Sequence, residues 1–201
     1  MSLSKFDFDT NRQAILKRLA DMKLLGYDRI HIPGGTSKDG GHYSGVIIPA
    51  YDDKSKTVYF CGLPYDSNFH KRNDENGHTK KAGESAMDTA IREVTEETAL
   101  SIEPEDLIKL EKSSYDVPDK NNIGARHYKN FYWTRKATGH LFSFPAANPI
   151  DGETAAPIMI PADLFLSKEN GVFYNYRHAV LELIDIICKE REYAFALMNS
   201  V

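Results

Sequence analysis

The sequence predicts an α/β protein in which helices pack on a mixed β-sheet. Three observations carry this expectation. Apolar residues recur at helical intervals near the N-terminus and again near the C-terminus. Two runs rich in β-branched and aromatic residues, 45–51 and 57–63, stand close together as strands. Strands and helices then follow one another without the strict alternation of a wholly parallel sheet. At 201 residues and 41% hydrophobic, the chain can bury one sizeable core. A single domain over 1–201 is expected, with an N-terminal helical extension over about 1–40.

In DTNRQAILKRLADMKLLGYDR, Thr10 and Gln13 have the spacing of a capping box, and Ile15, Leu16, Leu19, Met22 and Leu25 repeat with helical period. Gly26 stands where a glycine ends a helix. The next stretch, HIPGGTSKDGGHYS, is glycine-rich, lacks a Walker-type phosphate cradle, and reads as a flexible loop. The strands GVIIPAY and TVYFCGL flank the polar turn DDKSK. A long polar loop follows, carrying His70, Lys71, Arg72, His78, Lys80 and Lys81, which reads either as a solvated loop or as contacts for phosphate oxygens. Beyond the acidic helix treated below, LIKLEKSSYDV, HYKNFYWTRKA and a short HLFSF read as strands. APIMI reads as the last strand, closed by Pro161, and YRHAVLELIDIICKEREYAFALM as a terminal helix.

A formal net charge of −4 gives no overall attraction to nucleic acid or to an anionic membrane, so neither is expected as a partner. An anionic substrate would need local positive charge or a bridging cation. Cys61 and Cys188 lie in apolar contexts, VYFCGL and DIICKE, and both are expected as free thiols. The first residues lack the apolar run of a signal peptide, and no window approaches about 18 apolar residues, so a cytoplasmic protein is expected.

The stretch GESAMDTAIREVTEET is the most informative. On a helix, Glu93, Glu96 and Glu97 fall within an arc of about 100°. Met87, Ala90, Ile91 and Val94 form the adjacent apolar arc, which would face the core. Glu93 and Glu97 are a like-charge i,i+4 pair near the negative pole of the helix dipole. Each penalty is small, all share one sign, and a divalent cation would reverse them. A solvated acidic face is the plain alternative.

The order of residues decides between these readings. Gly83-Glu84, seven residues, Arg92-Glu93, Val94, one more, Glu96-Glu97 and two further positions to Leu100 resemble the box of the Nudix hydrolase family, G-x5-E-x7-R-E-U-x-E-E-x-G-U, where U is a bulky aliphatic. Two pattern glycines are replaced, by His78 beside Gly77 and by Ala99. A glycine after a helix takes a left-handed conformation, which alanine adopts at a cost of roughly 1 kcal/mol. The resemblance implies a Nudix-like α/β/α sandwich with a mixed β-sheet.

It also implies a metal-dependent hydrolase that cleaves the pyrophosphate bond of a nucleoside diphosphate linked to another moiety, using Mg²⁺ or Mn²⁺. In that reading Glu93, Glu97 and Glu96 bind metal with the backbone carbonyl of Gly77, while Arg92 and Glu84 orient the glutamates. The residues alone also allow an Arg92–Asp88 helix pair and, for Glu84, a carboxylate favoured by the helix N-terminus. An acidic residue before the last strand often serves such enzymes as general base, and Glu153, near Asp151, stands there. Tyr115, Pro118, Tyr128, Phe131, Tyr132 and Trp133 are core residues or platforms for a base. The expected partner is a small nucleoside diphosphate derivative, and a homodimer is left open. The alternative is a catalytically weakened Nudix-like domain that binds a nucleotide-type ligand or a protein partner as a sensor.

Overall fold

The first helix ends as its sequence predicts. In α1 (Phe8–Leu24), Gly26 has φ 99°, the Gly26 amide donates to the Lys23 carbonyl, and the Tyr27 amide donates to Met22. This pair of bonds is the motif that a left-handed glycine permits after a helix. The start differs: Phe8 is already helical, so Thr10 lies inside the helix and is not its cap. The structure is a computed structural model that describes residues 8–52, 57–68, 83–118, 124, 126–134, 136, 154–167 and 176–189.

The glycine-rich stretch is not a flexible loop. It contains the last residue of β1 (Arg29–His31), all of β2 (Gly34–Thr36) and the start of β3 (His42–Ile47). β2 and β3 pair antiparallel, with Gly35 opposite Ser44. Glycine and proline disfavour strands in isolation, which conceals this hairpin from a reading of local propensity. The helical part of the N-terminal region therefore stops at Leu24, and residues 29–36 belong to the sheets.

Two sheets result. One places β1, β4 (Pro49–Asp52) and β9 (Ile158–Pro161) on the long strand β5 (Thr57–Tyr65), all antiparallel. The other runs β2-β3-β8-β6 and is mixed, because β3 and β8 (Arg126–Thr134) are parallel. β6 (Leu107–Lys109) and β7 (Tyr115–Pro118) both pair antiparallel with β8, so the LIKLEKSSYDV run divides into two short strands. Ile48 joins the sheets: it lies between β3 and β4, is fully buried, and its carbonyl accepts from the Cys61 amide.

Helices α2 (Ala86–Thr98) and α4 (Arg177–Lys189) cover opposite faces of the mixed sheet. Residues opposite one another in register share a face. Gly35, Ser44 and His42 therefore share the α2 face, where His42 Nε2 lies 3.0 Å from Thr89 Oγ1. Tyr43, Lys129, Phe131 and Tyr115 share the other face, where His178 of α4 sets its ring edge-on to Phe131 and Tyr115. The α/β class, with a mixed sheet between helices, is the layering expected of a Nudix-like α/β/α sandwich. The short α3 (Ala162–Leu166) packs Phe165 edge-on to Phe60.

The core draws on both sheets, with Val46, Ile47, Phe60, Leu63, Phe131 and Trp133 almost wholly excluded from solvent. Burying each large apolar side chain is worth about 1.5–3 kcal/mol before entropy is counted. Of the aromatic residues flagged in sequence, Phe131, Tyr132 and Trp133 are core, whereas Tyr115 and Tyr128 remain exposed. Cys61 is a buried free thiol on β5. Among the described residues, no helix is long and apolar enough to cross a membrane.

Candidate functional site

Helix α2 carries the acidic stretch and is fixed at both ends. Ser85 Oγ accepts from the Asp88 amide at 3.1 Å and donates to Asp88 Oδ2 at 2.6 Å. That engagement uses Asp88, and the Arg92–Asp88 pair the sequence allows is not formed among the described contacts. At the other end Ala99 has φ 55° and ψ 15°, the left-handed conformation expected of the glycine it replaces, and its amide donates to Thr95. Ala90, Val94 and the Thr98 side chain are buried, which turns the neighbouring carboxylates toward β2.

Glu84, just ahead of the helix, is heavily coordinated. Arg92 donates from Nε to Oε1 at 2.9 Å and from Nη2 to Oε2 at 3.0 Å, a forked ion pair. Thr89 Oγ1 and the Lys38 amide also donate to Oε2, at 3.0 and 3.3 Å. Chiefly through the Arg92 hydrogen bond, these donors bring the Glu84 carboxyl down to about 2 from its ordinary 4.5. The single Thr89 hydroxyl proton is thus committed to Glu84, so His42 Nε2 is the donor in its contact with Thr89. A chain of hydrogen bonds runs from strand β3 through the helix to Glu84.

Arg92 links this cluster to the rest. Its Nη1 lies 2.7 Å from Glu93 Oε1 and 3.0 Å from Glu96 Oε2, and Nη2 donates to the Thr36 carbonyl at 3.2 Å. Burial opposes the guanidinium charge, but Glu84, Glu93 and Glu96 hold it protonated. One guanidinium serves three carboxylates.

The two remaining glutamates are held by β2. Glu97 Oε2 accepts from the Gly34 amide at 2.7 Å. Glu93 lies flat against Gly35: a Cβ there would meet the Glu93 carboxylate at 2.4 Å. Gly34 has φ 153°, and a Cβ would strike the Ser44 carbonyl oxygen at 2.4 Å. Only glycine admits this approach of strand and helix. Burial raises the Glu93 carboxyl above its ordinary value, opposed by Arg92 and reinforced by Glu96 and Glu84. Glu96 is about half exposed.

Five of the seven residues singled out from sequence, Glu84, Arg92, Glu93, Glu96 and Glu97, are therefore brought together along one side of α2. Gly77 and Glu153 lie outside the described residues, as does His78. Gly34, Gly35, Thr36, His42 and Thr89 were missed. The paired glycines in HIPGGTS were the available signal, since a close backbone approach is one reason for glycine in a strand. Among the described residues, no group of three or more His, Cys, Asp or Glu side chains stands together in an arrangement that could hold a metal ion.

No protein-family profile matches the sequence, and no curated protein matches it. Solved structures similar in fold at low identity include two. A MutT/nudix family protein from Enterococcus faecalis is 13% identical over 60% of this chain, with a TM-score of 0.36. Shewanella oneidensis NrtR is 13% identical over 78% of it, with a TM-score of 0.43. The chain covers 43% of the first protein and 68% of the second.

Proposed function

We propose that the chain is a metal-dependent pyrophosphohydrolase acting on a nucleoside diphosphate linked to another moiety. The observation that carries this reading is the meeting of Glu93 and Glu97 with the glycine backbone of β2. Two carboxylates are brought beside one strand, and burial raises the pKa of one of them, Glu93. Carboxylate oxygens are the ligands a hard cation takes, and Mg²⁺ commonly uses one or two of them and completes its shell with water and substrate phosphates. The donor set fits that group, with Glu96 and the Gly77 carbonyl as further proposed ligands.

A bound Mg²⁺ or Mn²⁺ would neutralise diphosphate oxygens and acidify a water. The residues of this chain supply the rest. Glu84 fixes the guanidinium plane of Arg92, and Arg92 in turn orients Glu93 and Glu96. The Gly34 amide aims Glu97. Such supporting contacts set the geometry of ligands and their basicity. Glu153 is proposed as the general base that takes a proton from the attacking water.

One observation favours a second reading. Because no three acidic side chains among the described residues are arranged to hold a metal ion, a weakened domain that binds a nucleotide-type ligand or a protein partner as a sensor is the competing proposal. A panel of nucleoside diphosphate derivatives incubated with Mg²⁺ or Mn²⁺, read by product analysis, separates the two. Cleavage between the phosphorus atoms is expected. Saturable binding of a derivative with no product would support the sensor.

A further inference from the structure

Lys129 is the one charged group on the face of the mixed sheet opposite α2 for which no anionic partner exists among the described residues. It sits in the middle of β8, directly opposite Tyr43 of β3 and Tyr115 of β7, so the three side chains share that face. Its ammonium lies 4.5 Å from the centroid of the Tyr43 ring. Tyr43 is buried, and its ring lies nearly parallel to that of Tyr176, at 9° and 5.8 Å. Tyr115 is 45% exposed, which leaves the group open to solvent on one side.

A cation–π contact offsets part of the cost of taking an ammonium out of water, by about 0.5–2 kcal/mol, but supplies no acceptor for its three protons. Burial lowers the Lys129 amine below its ordinary value. A residue that only snorkels would carry its head clear of the aromatic surface. Here the head stays on it.

Burial chiefly raises the pKa of the Tyr43 hydroxyl, Tyr176 adds to it, and the charges of Glu97 and Glu93 contribute last. β2 links the two groups: it pairs with the strand that carries Tyr43, and its Gly34 and Gly35 meet Glu97 and Glu93.

We propose that Lys129 binds a second anionic group of the substrate, a phosphate or carboxylate carried away from the scissile diphosphate, with Tyr43 and Tyr115 flanking it. This rests on the pyrophosphohydrolase reading and narrows its substrates to those bearing an extra anion.

The test has two arms. In the first, wild type, Lys129→Gln and Lys129→Arg are compared on NADPH against NADH, and on coenzyme A against its dephospho form, pairs that differ by one phosphate. Wild type and Lys129→Arg are expected to prefer the phosphorylated member in kcat/KM by about tenfold or more, the worth of one charge-assisted hydrogen bond, and Lys129→Gln to lose the preference. In the second, isotope-labelled lysine in the metal-free full chain is followed by NMR while inorganic phosphate is added, with Lys129→Arg identifying the resonance. A saturable shift of the Lys129 signal is expected. Failure of every substrate in the first arm would count against the hydrolase reading alone, because the second arm decides the anion site without turnover. A wild-type preference retained by Lys129→Gln, or a Lys129 signal indifferent to phosphate, would overturn the proposal.

Discussion

The two ends of the acidic helix use the same residue type in opposite ways. At the N-terminal end, Glu84 receives four donated hydrogen bonds and its carboxyl falls to about 2. At the C-terminal end, Glu93 shares one guanidinium with two other carboxylates, is buried, and its carboxyl rises. Satisfied charge makes Glu84 a fixed point. Burial of Glu93 and the like charge of Glu97 four residues on make this the end where we propose that a cation binds. The difference lies in where Arg92 spends its donors.

Arg92→Met would break this contrast most severely. It leaves Glu84, with only 10% of its side chain exposed, without its principal partner. A loss of about 2–3 kcal/mol is expected in urea unfolding, because a nearly buried carboxylate is stranded. A midpoint unchanged from wild type would show that the forked pair does not hold the two ends together.

Gly35→Ala addresses the other end alone. The new Cβ collides with the far end of the Glu93 side chain and not with backbone, so the fold should survive while the carboxylate is displaced. Affinity for Mg²⁺, read by calorimetry, is expected to fall roughly tenfold or more, as it does when the support of a ligand is disturbed. Gly34→Ala, which strikes the Ser44 carbonyl, should instead destabilise the hairpin.

The pH dependence sharpens the comparison through its sign. Glu84 has a folded value depressed from 4.5 to about 2, so it contributes stability above 4.5 that is lost as pH falls toward 2. Glu93 has a raised folded value, so its charge costs stability at neutral pH and the cost is relieved as pH falls through that value. Melting curves between pH 7 and 2 should therefore show Glu84→Gln destabilised at neutrality and converging on wild type in acid. Glu93→Gln, measured without metal, should be at least as stable as wild type at neutrality. Two variants destabilised alike at neutrality would erase the distinction. The smallest effect expected is at Ala99: replacement by glycine frees the left-handed position, worth about 0.5–1 kcal/mol.

Much of this site was legible because it is local. The spacing of Glu84, Arg92, Glu93 and Glu97 needs only a helix to bring them to one side, and the left-handed turn at residue 99 follows from the same pattern. What β2 contributes was not legible, since Gly34 and Gly35 matter through a helix about 60 residues away, and glycine carries no side-chain pattern to betray a strand. Arg92 pairing with Glu84 in preference to Asp88 depended on the N-cap Ser85 engaging Asp88, a competition between two locally favourable bonds. The expected strand HLFSF lies outside the described residues.

The central claim is that the C-terminal glutamates bind a cation that supports hydrolysis, and Glu97→Gln tests it most directly. Glutamine keeps an oxygen to accept from the Gly34 amide and removes only the charge. Metal-free melting temperature and Mg²⁺-dependent hydrolysis of the best substrate should be measured together for wild type and variant. The account predicts a melting temperature equal to or above wild type, because a like-charge pair with Glu93 is relieved, and turnover lowered about a hundredfold or more. A variant hydrolysing at the wild-type rate would contradict it.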